Sequence, residues 1–590
     1  MALMGSSEGS DAHAIRRIHI WYGALVVVFA LFFVRLFYLQ VIRYGHYKNA
    51  ALSDQLKQYD IPATRGTIMA YQGDTPIPIV LNQKLYTLYA DPAYTKDAAK
   101  ESGDVAQIIG GNVADYAKKM QAKGSRYQIL AHKLTEGQSK KILALKYPGL
   151  GTQEQDYRTY PQGTLASQLL GFVNDDGKGV YGIEQALNQQ LKGTDGELKA
   201  ITDVRGVPLA ASPGNVEKPA EPGKNLVLTL DIPMQKQLET ILQTDVQKAK
   251  AEGGSALIMD ADTGAVKAMA NFPTYDPAKY SDVSDPSVFE NGTVAHPIEV
   301  GSVMKPLTTA AALDSHSIWA NQTYNDPAKW TVDGFTITNI EEDGPAGVRS
   351  IRDILNLSLN TGATWELMQM GGGQINSKAR TTWNDYMANH YLFGRETGIE
   401  QGYEASGYVP SPADNGAGID LTYANTTFGQ AMTATPVQMA AALSAILNGG
   451  TYYQPHLVDG TVDGQGNVSH NKPKVLKSGV VAPAISQDII PMMQYTVDHH
   501  YFTPGFDQTR YMVGGKTGTA QIAKPGGGYY DDQFNGTYTG FVGGDKPQYV
   551  IVAFVYKPHN GGYAGTAAAQ PVFGDLAHML INESYVTAKN

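Results

Sequence analysis

Three short motifs in the second half of the chain combine residue types that can do nucleophilic chemistry. In chain order they are Ser302-Val303-Met304-Lys305, Ser358-Leu359-Asn360 and Lys516-Thr517-Gly518. A serine is a poor nucleophile unless a base lies beside it. Residues three apart share one face of a helix, so the amine of Lys305 can reach the hydroxyl of Ser302. This spacing favours acyl transfer through a serine.

Lys305 can act as a base only if its amine is neutral. Burial and a second nearby cation both lower the pKa of a lysine, and Lys516 can supply that cation. Ser358 would then relay protons, and the amide of Asn360 would hold the substrate backbone. Each motif alone is common, and a Ser and a Lys three apart usually mark an ordinary helix start. Their combination in this order predicts an active site.

The third motif lies in YMVGGKTGTAQ, which predicts an edge strand. We expect Gly518 to let the backbone of a substrate approach closely. Lys516 and the hydroxyls of Thr517 and Thr519 suit a carboxylate. The backbone N–H groups of Ser302 and Thr519 would form an oxyanion hole, whose donors stabilise the charge that develops in acyl transfer.

The elements around these motifs predict an α+β domain. Apolar runs on both sides of Ala261-Asp262-Thr263-Gly264 predict a β-hairpin, and YTGFVGG and YVIVAFVY predict two later strands. Between these strand groups, TPVQMAAALSAILNGG predicts a helix with a capping box of Thr435 and Gln438, ended by Gly449. Strands at both ends with helices between them indicate an antiparallel sheet covered by helices.

The N-terminal region predicts a membrane anchor. Residues 18–42 are mostly apolar, carry no formal charge apart from Arg35 and are long enough to cross a bilayer. Bulky residues follow them where a signal peptide would have a small-residue cleavage site, which favours an uncleaved helix. Basic residues flank the span on both sides, so charge alone leaves its orientation open.

The segment 205–224 is rich in Pro and Gly and predicts a domain boundary. We therefore divide the chain into a tail over residues 1–17, a transmembrane helix over 18–42, an intervening domain over 43–225 and a catalytic domain over 226–590. All of the strong motifs fall in the last of these.

Composition excludes several classes of function. The chain has 590 residues, a net charge of −10 and no cysteine. Acidic character disfavours binding of nucleic acid, and the lack of cysteine excludes disulfides, iron–sulfur clusters and a cysteine nucleophile. A P-loop ending at Gly515-Lys516-Thr517 would need glycine at position 510, which is Arg. There is no HExxH motif either, and we expect no metal and no cofactor.

The chain resembles a class B penicillin-binding protein over nearly its whole length. RLFYLQVIRYGHYKNAA resembles the segment that leaves the membrane in that family, and Arg65-Gly66-Thr67-Ile68 resembles the start of its pedestal. Residues 43–225 would be this pedestal, a dimerisation-type domain. Further segments resemble family signatures: TYPQGTLASQLLGFV, GVYGIEQALNQQLKGTDG, LVLTLDIPMQ, FGQAMTATPVQMA, GGKTGTAQ and GYAGTAAAQPVF.

Two details depart from the family pattern and one favours a branch of it. Val300 stands where a proline usually precedes the Gly-Ser of the first motif, and residues 69–73 replace the usual Asp-Arg-Asn-Gly turn. The forms FGQAMTATPVQMA and GGKTGTAQ are closer to the septal, cell-division branch than to the elongation branch.

The resemblance implies a membrane-anchored D,D-transpeptidase of peptidoglycan synthesis with a penicillin-binding, β-lactamase-like fold. Ser302 would attack a stem peptide ending in D-Ala-D-Ala, an amine of a neighbouring stem would resolve the acyl-enzyme, and β-lactams would acylate the same serine. The implied partners are a polytopic lipid II glycosyltransferase and other membrane proteins of wall synthesis. The N-terminus would be cytoplasmic and the catalytic domain extracytoplasmic.

Two alternatives remain open at this point. In the first, the fold serves mainly as a scaffold that activates its membrane partners in division or elongation. In the second, the protein is a hydrolytic β-lactamase or a β-lactam sensor, which the uncleaved anchor and the large pedestal disfavour.

Overall fold

The structure is a computed structural model that describes residues 8–47, 56–201, 216–339, 345–414, 416–499 and 505–589. Its α-helices are α1 Glu8–Phe37, α2 Ala98–Ile109, α3 Val113–Met120, α4 Glu136–Ala144, α5 Ser167–Leu170, α6 Gly182–Ala186, α7 Asn188–Lys192, α8 Ile232–Lys248, α9 Gly292–Ala295, α10 Lys305–Asp314, α11 Ile351–Asn356, α12 Asn360–Met370, α13 Ser377–Asp385, α14 Ile419–Thr426, α15 Pro436–Leu447, α16 Pro483–His499 and α17 Gln570–Asn582.

The strands range in length from two to sixteen residues. They are β1 Leu56–Ile61, β2 Ile68–Gln72, β3 Thr75–Ala90, β4 Gln128–Leu134, β5 Leu150–Thr159, β6 Phe172–Val173, β7 Gly179–Val180, β8 Gly196–Ile201, β9 Val216–Lys218, β10 Asn225–Asp231, β11 Gly253–Asp260, β12 Val266–Phe272, β13 Thr323–Asp326, β14 Lys329–Val332, β15 Phe335–Thr338, β16 Gly347–Ser350, β17 Thr451–Tyr453, β18 Val458–Val462, β19 Val468–His470, β20 Val475–Ser478, β21 Met512–Ala523, β22 Tyr529–Gly543 and β23 Pro547–Tyr556.

The chain forms two compact units. The smaller unit comprises Met1–Thr64 and Gly193–Pro222, and the larger comprises Arg65–Lys192 and Gly223–Asn590. In the smaller unit, β1, β8 and β9 form an antiparallel sheet. The segment 205–224, where we predicted a domain boundary, lies outside the described residues as far as residue 215.

Residues 18–37 of α1 are mostly apolar, and they are exposed. The stretch Arg16–Ile42, which runs through α1 and the π-helical turn Tyr38–Ile42, is long and apolar enough to cross a membrane. At about 1.5 Å per residue, a helix of this length exceeds the ~30 Å of a hydrocarbon core. The helix therefore fits the membrane anchor predicted over residues 18–42.

A five-stranded antiparallel sheet forms the centre of the larger unit, in the order β12-β11-β23-β22-β21. Alternate residues of each strand face different cores. In β11, Leu257 and Met259 face a core that contains α10 and α15, while Ala256 and Ile258 face a second core with α8 and α17. Because both faces are covered, YVIVAFVY in β23 is apolar at nearly every position. The predicted α+β fold class is confirmed.

Several local predictions are confirmed in detail. β11 and β12 form the predicted hairpin, and β21 is an edge strand. Helix α15 begins with Thr435 and Gln438 in a capping box and Pro436 in its first turn. Gly449, just beyond its C-cap, has φ +89°, a conformation that costs glycine little.

A second sheet of seven strands joins parts of the chain that are distant in sequence. Its order is β19-β18-β10-β2-β3-β4, with β5 also paired to β3. β10 and β2 run parallel. A strand that begins at residue 225, the predicted domain boundary, therefore pairs with a strand of the preceding predicted domain. Residues 69–73, where the usual family turn is missing, form the end of β2 and a turn at Gly73. The hydroxyl of Tyr71 donates to Asp459 on the same sheet, at 2.5 Å.

At the Arg65-Gly66 motif, just before β2, the backbone packs closely against the backbone of two other segments. The N–H of Gly66 donates to the Leu191 carbonyl at 2.8 Å. A Cβ at Gly66 would lie 1.9 Å from the carbonyl oxygen of Lys224, so only glycine fits there. The motif is therefore explained by packing between segments of the larger unit.

Arg65 belongs to a buried ionic network. Its Nε donates to Glu184 at 2.7 Å, and the Nε of Arg158 donates to the other carboxyl oxygen of Glu184 at 2.8 Å. Glu184 is fully buried, and the two guanidinium groups are nearly so. Asn188 and Asn82 complete the network around Arg65. One buried carboxylate therefore compensates two buried cations.

We expect Glu184→Gln to destabilise the protein by about 3–5 kcal/mol, because it leaves two buried guanidinium groups without a counter-charge. Thermal unfolding of the full chain in detergent, followed by near-UV circular dichroism, measures this change. Glu154→Gln is the matched control, since Glu154 pairs with Lys84 at the surface and its loss should leave the transition in place. Equal melting temperatures for the two variants would contradict the role assigned to Glu184.

Candidate active site

The first motif forms a tight turn that leads directly into a helix. Gly301–Met304 is a 3-10 turn, which we call the serine turn, and α10 continues from Lys305. Pro306 lies in the first turn of α10, where its missing N–H breaks no helical hydrogen bond. This geometry places the side chains of Ser302 and Lys305 together, as their spacing predicts.

The amine of Lys305 is the centre of the site. Its Nζ lies 2.9 Å from Ser302 Oγ and 2.9 Å from Asn360 Oδ1. It also lies 2.6 Å from the carbonyl oxygen of Ser358 and 3.1 Å from the Ser358 hydroxyl. The structure therefore brings two of the three motifs into direct contact around one nitrogen atom, which is fully buried.

Ser358 reaches this nitrogen through an uncommon backbone conformation. Its φ is +54°, in the left-handed region that non-glycine residues rarely adopt. It lies between α11 and α12. This conformation places both its carbonyl and its hydroxyl oxygen against Lys305. Strain of this kind persists where the surrounding structure requires it, and it is concentrated at functional sites.

The third motif lies on β21, at the edge of the central sheet. Lys516 is 1% exposed, and its Nζ donates to the Thr517 carbonyl at 2.9 Å. Gly518 is buried, whereas Thr517 and Thr519 are half-buried. A strand edge leaves backbone donors and acceptors available for a peptide. The site therefore lies between the edge strand β21 and the buried amine of Lys305.

Burial strongly lowers the pKa of Lys305, and the positive charge of Lys516 lowers it further. The carboxyl of Glu366 acts in the opposite direction. The sign is the one expected for a lysine removed from water beside another cation. Lys305 is thus suited to be a neutral amine that accepts the proton of Ser302.

The structure gives a packing reason for glycine at position 518. A Cβ at this position would lie 2.3 Å from Thr537 Oγ1 and 2.7 Å from the Val300 carbonyl oxygen. Both belong to the protein interior, and the Thr537 hydroxyl donates to that same carbonyl at 2.6 Å. Glycine at position 518 therefore lets β21 pack against the serine turn.

Thr519 and Asn360 each use part of their hydrogen-bonding capacity inside the protein. The Thr519 hydroxyl accepts a hydrogen bond from the N–H of Gly565 at 2.9 Å. The Asn360 amide uses its oxygen for Lys305, and its Nδ2 donates to the Thr338 carbonyl at 3.0 Å. Each group keeps one hydrogen that no partner accepts within the described part of the chain. Gly301 lies against the Thr519 backbone, where an added Cβ would be 3.1 Å from the Thr519 nitrogen.

Two acidic residues at the site were missed from the sequence. Glu366 on α12 is fully buried and acts on the pKa of Lys305. Glu299, three residues before Ser302, accepts the N–H of Ala431 and the hydroxyl of Tyr529, both at 2.9 Å. An acidic residue inside the apolar run ATWELM was the sequence signal for Glu366. Glu299 bonds to segments that are distant in sequence. Nothing in the sequence around Glu299 marked it as part of the site.

Family models match both halves of the chain. The model for the penicillin binding protein transpeptidase domain matches residues 254–578, which is more than half of the 590 residues. This chain belongs to the penicillin-binding proteins. The model for the dimerisation domain of the same proteins matches residues 60–228. Both matches agree with the resemblance to class B members of the family, which is confirmed.

Relatives extend over nearly the whole chain. The penicillin-binding protein PbpB of Mycobacterium tuberculosis is 29% identical, covering 95% of this chain and 84% of the relative. A protein named peptidoglycan D,D-transpeptidase FtsI homolog, from Mesostigma viride, is 26% identical over 95% of this chain and 96% of its own length.

Solved structures share the fold. Penicillin binding protein 3 of Mycobacterium tuberculosis without ligand is 25% identical, with a TM-score of 0.65, over 90% of this chain and 98% of that chain. The same protein is also known in complexes with aztreonam and with ampicillin.

We expect Gly518→Ala to lower the rate of acylation of Ser302 by about 10²-fold, because a misplacement of about 1 Å at a reacting centre has an effect of that size. The added methyl group would push β21 away from the serine turn. The measurement is the second-order rate constant for labelling by a fluorescent penicillin. Gly464→Ala, at a surface turn with nothing near its Cβ position, is the control and should behave as wild type. Unchanged acylation in Gly518→Ala would contradict this packing role.

Proposed function

We propose that this chain is a serine-type peptidoglycan D,D-transpeptidase that is anchored in a membrane. The observation that carries the proposal is the buried amine of Lys305, 2.9 Å from the hydroxyl oxygen of Ser302. As a neutral base, Lys305 accepts the proton of Ser302 while Ser302 Oγ attacks the penultimate carbonyl carbon of a stem peptide ending in D-Ala-D-Ala.

The neighbouring groups stabilise the charge that this attack creates. The backbone N–H groups of Ser302 and Thr519 receive the oxyanion, and a single donor of this kind contributes about 2.7–4 kcal/mol in comparable enzymes. Lys516 and Thr517 bind the terminal carboxylate, with Gly518 holding their strand in place. The free hydrogen on the Asn360 amide binds the substrate backbone.

Proton transfer completes the reaction. Ser358, whose hydroxyl lies 3.1 Å from Lys305 Nζ, passes the proton to the amine of the departing D-Ala. An amine on a second stem peptide then attacks the acyl-enzyme, which releases Ser302 and forms the cross-link. A β-lactam acylates Ser302 in the same way, which agrees with the antibiotic complexes of the related protein.

We infer that the helix over residues 18–42 anchors the protein with its N-terminus in the cytoplasm and its catalytic domain outside. Peptidoglycan lies outside the cytoplasmic membrane, so the proposed substrate requires this orientation. The anchor and the pedestal would serve membrane partners, among them a polytopic lipid II glycosyltransferase. The motif forms noted above favour a role in septal wall synthesis.

We expect Ser302→Ala to abolish labelling by a fluorescent penicillin, because it removes the atom that becomes acylated. Release of D-Ala from a synthetic stem pentapeptide should be lost in parallel. Gel fluorescence and amino-acid analysis measure the two activities. Equal labelling of the variant and the wild type would end the assignment of Ser302, and rapid turnover of the drug by the wild type would indicate a hydrolase.

The same variant separates catalysis from a scaffold role. In a depletion strain, we expect a fluorescent fusion of the wild type, but not of Ser302→Ala, to restore growth. Full complementation by Ser302→Ala would favour the scaffold. The complementing fusion also reports the branch, since location at midcell fits septal synthesis and location along the side wall fits elongation.

Orientation can be tested cleanly because the chain has no cysteine. We expect a membrane-impermeant maleimide to label Gln465→Cys, at an exposed turn of the catalytic domain, in spheroplasts whose cytoplasmic membrane is intact. Ser7→Cys, on the N-terminal side of the helix, should be labelled only after the membrane is permeabilised. The reverse pattern would overturn the proposed orientation.

A further inference from the structure

A carboxylate just before the serine turn is bonded to two segments that are distant in sequence. Glu299 lies three residues before Ser302, and its Oε1 accepts the N–H of Ala431 and the hydroxyl of Tyr529, both at 2.9 Å. Its other carboxyl oxygen, Oε2, is buried and has no hydrogen-bond partner among the described residues. Taking a carboxylate out of water is costly, so these two bonds require an explanation.

The backbone beside Glu299 contacts the same two parts of the chain. The N–H of Gly301 donates to the Gly429 carbonyl at 3.0 Å. The hydroxyl of Thr537, in the middle of β22, donates to the Val300 carbonyl at 2.6 Å. These bonds join the serine turn to the middle of β22 without any help from the carboxylate. The distinct contribution of Glu299 is therefore made elsewhere on β22.

That contribution is made at the tip of the β21–β22 hairpin. Tyr529 is the first residue of β22 and pairs with Ala523, the last residue of β21. The turn between them, residues 524–528, is exposed and includes three glycines with positive φ, Gly526, Gly527 and Gly528. Glycine loses more conformational freedom on ordering than any other residue. The bond from Tyr529 to Glu299 therefore ties down a part of the hairpin that is costly to order.

The order of groups along β21 gives the direction of a bound stem peptide. In the proposed reaction, Lys516 and Thr517 bind the terminal carboxylate, and the N–H of Thr519 receives the oxyanion of the penultimate residue. The stem residues that precede D-Ala-D-Ala then lie beyond Thr519, towards the hairpin tip. β21 is the last strand of its sheet, so its outer edge can accept an extended peptide.

The lengths agree with this direction. Strand residues are about 3.3 Å apart, so the three upstream residues of a stem pentapeptide extend over about 10 Å. The four residues 520–523, between Thr519 and the hairpin turn, extend over about 13 Å by the same measure. A dipeptide donor would end beside Thr519, whereas a pentapeptide would reach the part of β21 that lies next to Tyr529.

We propose that Glu299 is a positioning residue that holds the hairpin tip where the upstream residues of a stem peptide bind. This inference rests on the proposed function. The bond to Tyr529 orders the end of β21 before the substrate arrives, so a long peptide does not have to order it on binding. Glu299 thereby gives the enzyme its preference for a stem peptide over a shorter donor with the same reacting end.

The test compares two such donors with the full chain in detergent. We expect the wild type to release D-Ala with a higher kcat/KM from a synthetic stem pentapeptide than from N-acetyl-D-Ala-D-Ala. Tyr529→Phe removes only the hydroxyl that donates to Glu299. It should reduce this preference by about three- to tenfold, the effect of one hydrogen bond. The loss should fall on the pentapeptide, with a smaller change for the dipeptide.

Three further variants show whether the bond itself is responsible. Tyr530→Phe is the matched control, because the ring of Tyr530 lies 5.5 Å from the Lys524 amine and its hydroxyl does not bond Glu299. Glu299→Gln keeps an oxygen that can accept both bonds and should retain the preference, whereas Glu299→Ala should lose at least as much of it as Tyr529→Phe. Adding Tyr529→Phe to Glu299→Ala should cause no further loss, because both changes remove the same bond.

The outcomes separate this inference from the proposed function. An unchanged preference in Tyr529→Phe, an equal loss on both donors, or the same loss in Tyr530→Phe would overturn the role of Glu299. A wild type that does not distinguish the donors, or a Glu299→Gln variant that loses as much as Glu299→Ala, would overturn it too. If Glu299→Ala is unfolded by near-UV circular dichroism, Tyr529→Phe decides alone. Release of D-Ala that is absent in the wild type, or that survives in Ser302→Ala, would instead contradict the acyl-transfer function itself.

Discussion

An amine that is shut off from water cannot easily hold a proton, and the site is arranged around this constraint. Lys305 is fully buried, and its nitrogen is surrounded by oxygen atoms from Ser302, Ser358 and Asn360. These oxygens fix the position of the amine, while burial and the charge of Lys516 lower its pKa. Each motif therefore contributes to the state of one nitrogen atom, and this explains why three weak sequence patterns are informative together.

Several glycines of the family motifs serve backbone packing. Gly66 admits the carbonyl of Lys224, and Gly518 admits the serine turn. Gly565 lies so close to β21 that a Cβ there would be 2.3 Å from the Gly518 carbonyl oxygen. The motif GYAGTAAAQPVF and the serine turn thus both pack against β21. An edge strand that accepts a peptide needs such support, because it has neighbouring strand contacts on one side only.

The sequence was sufficient for the parts of the site that depend on local spacing. Ser302 and Lys305 share a helical face, and the capping box of α15 and the hairpin of β11 and β12 follow from short-range rules. It was insufficient where distant segments meet. The pairing of β2 with β10 and the burial of Glu366 on α12 both depend on tertiary packing. The packing of Gly518 against the serine turn could not be predicted either, because a strand pattern does not say which neighbour each face meets.

The larger unit is interrupted in sequence between Lys192 and Gly223, and these two points are neighbours. The N–H of Lys224 donates to the carbonyl of Gln190 at 2.9 Å, and a Cβ at Gly223 would lie 1.7 Å from the carbonyl oxygen of Leu191. For this unit, residues 193–222 are an insertion whose ends meet. Joining the ends by a short turn would shorten the polypeptide without stretching its backbone. A chain trimmed in this way, and begun at Arg65, offers a compact reagent for crystallography and inhibitor screening.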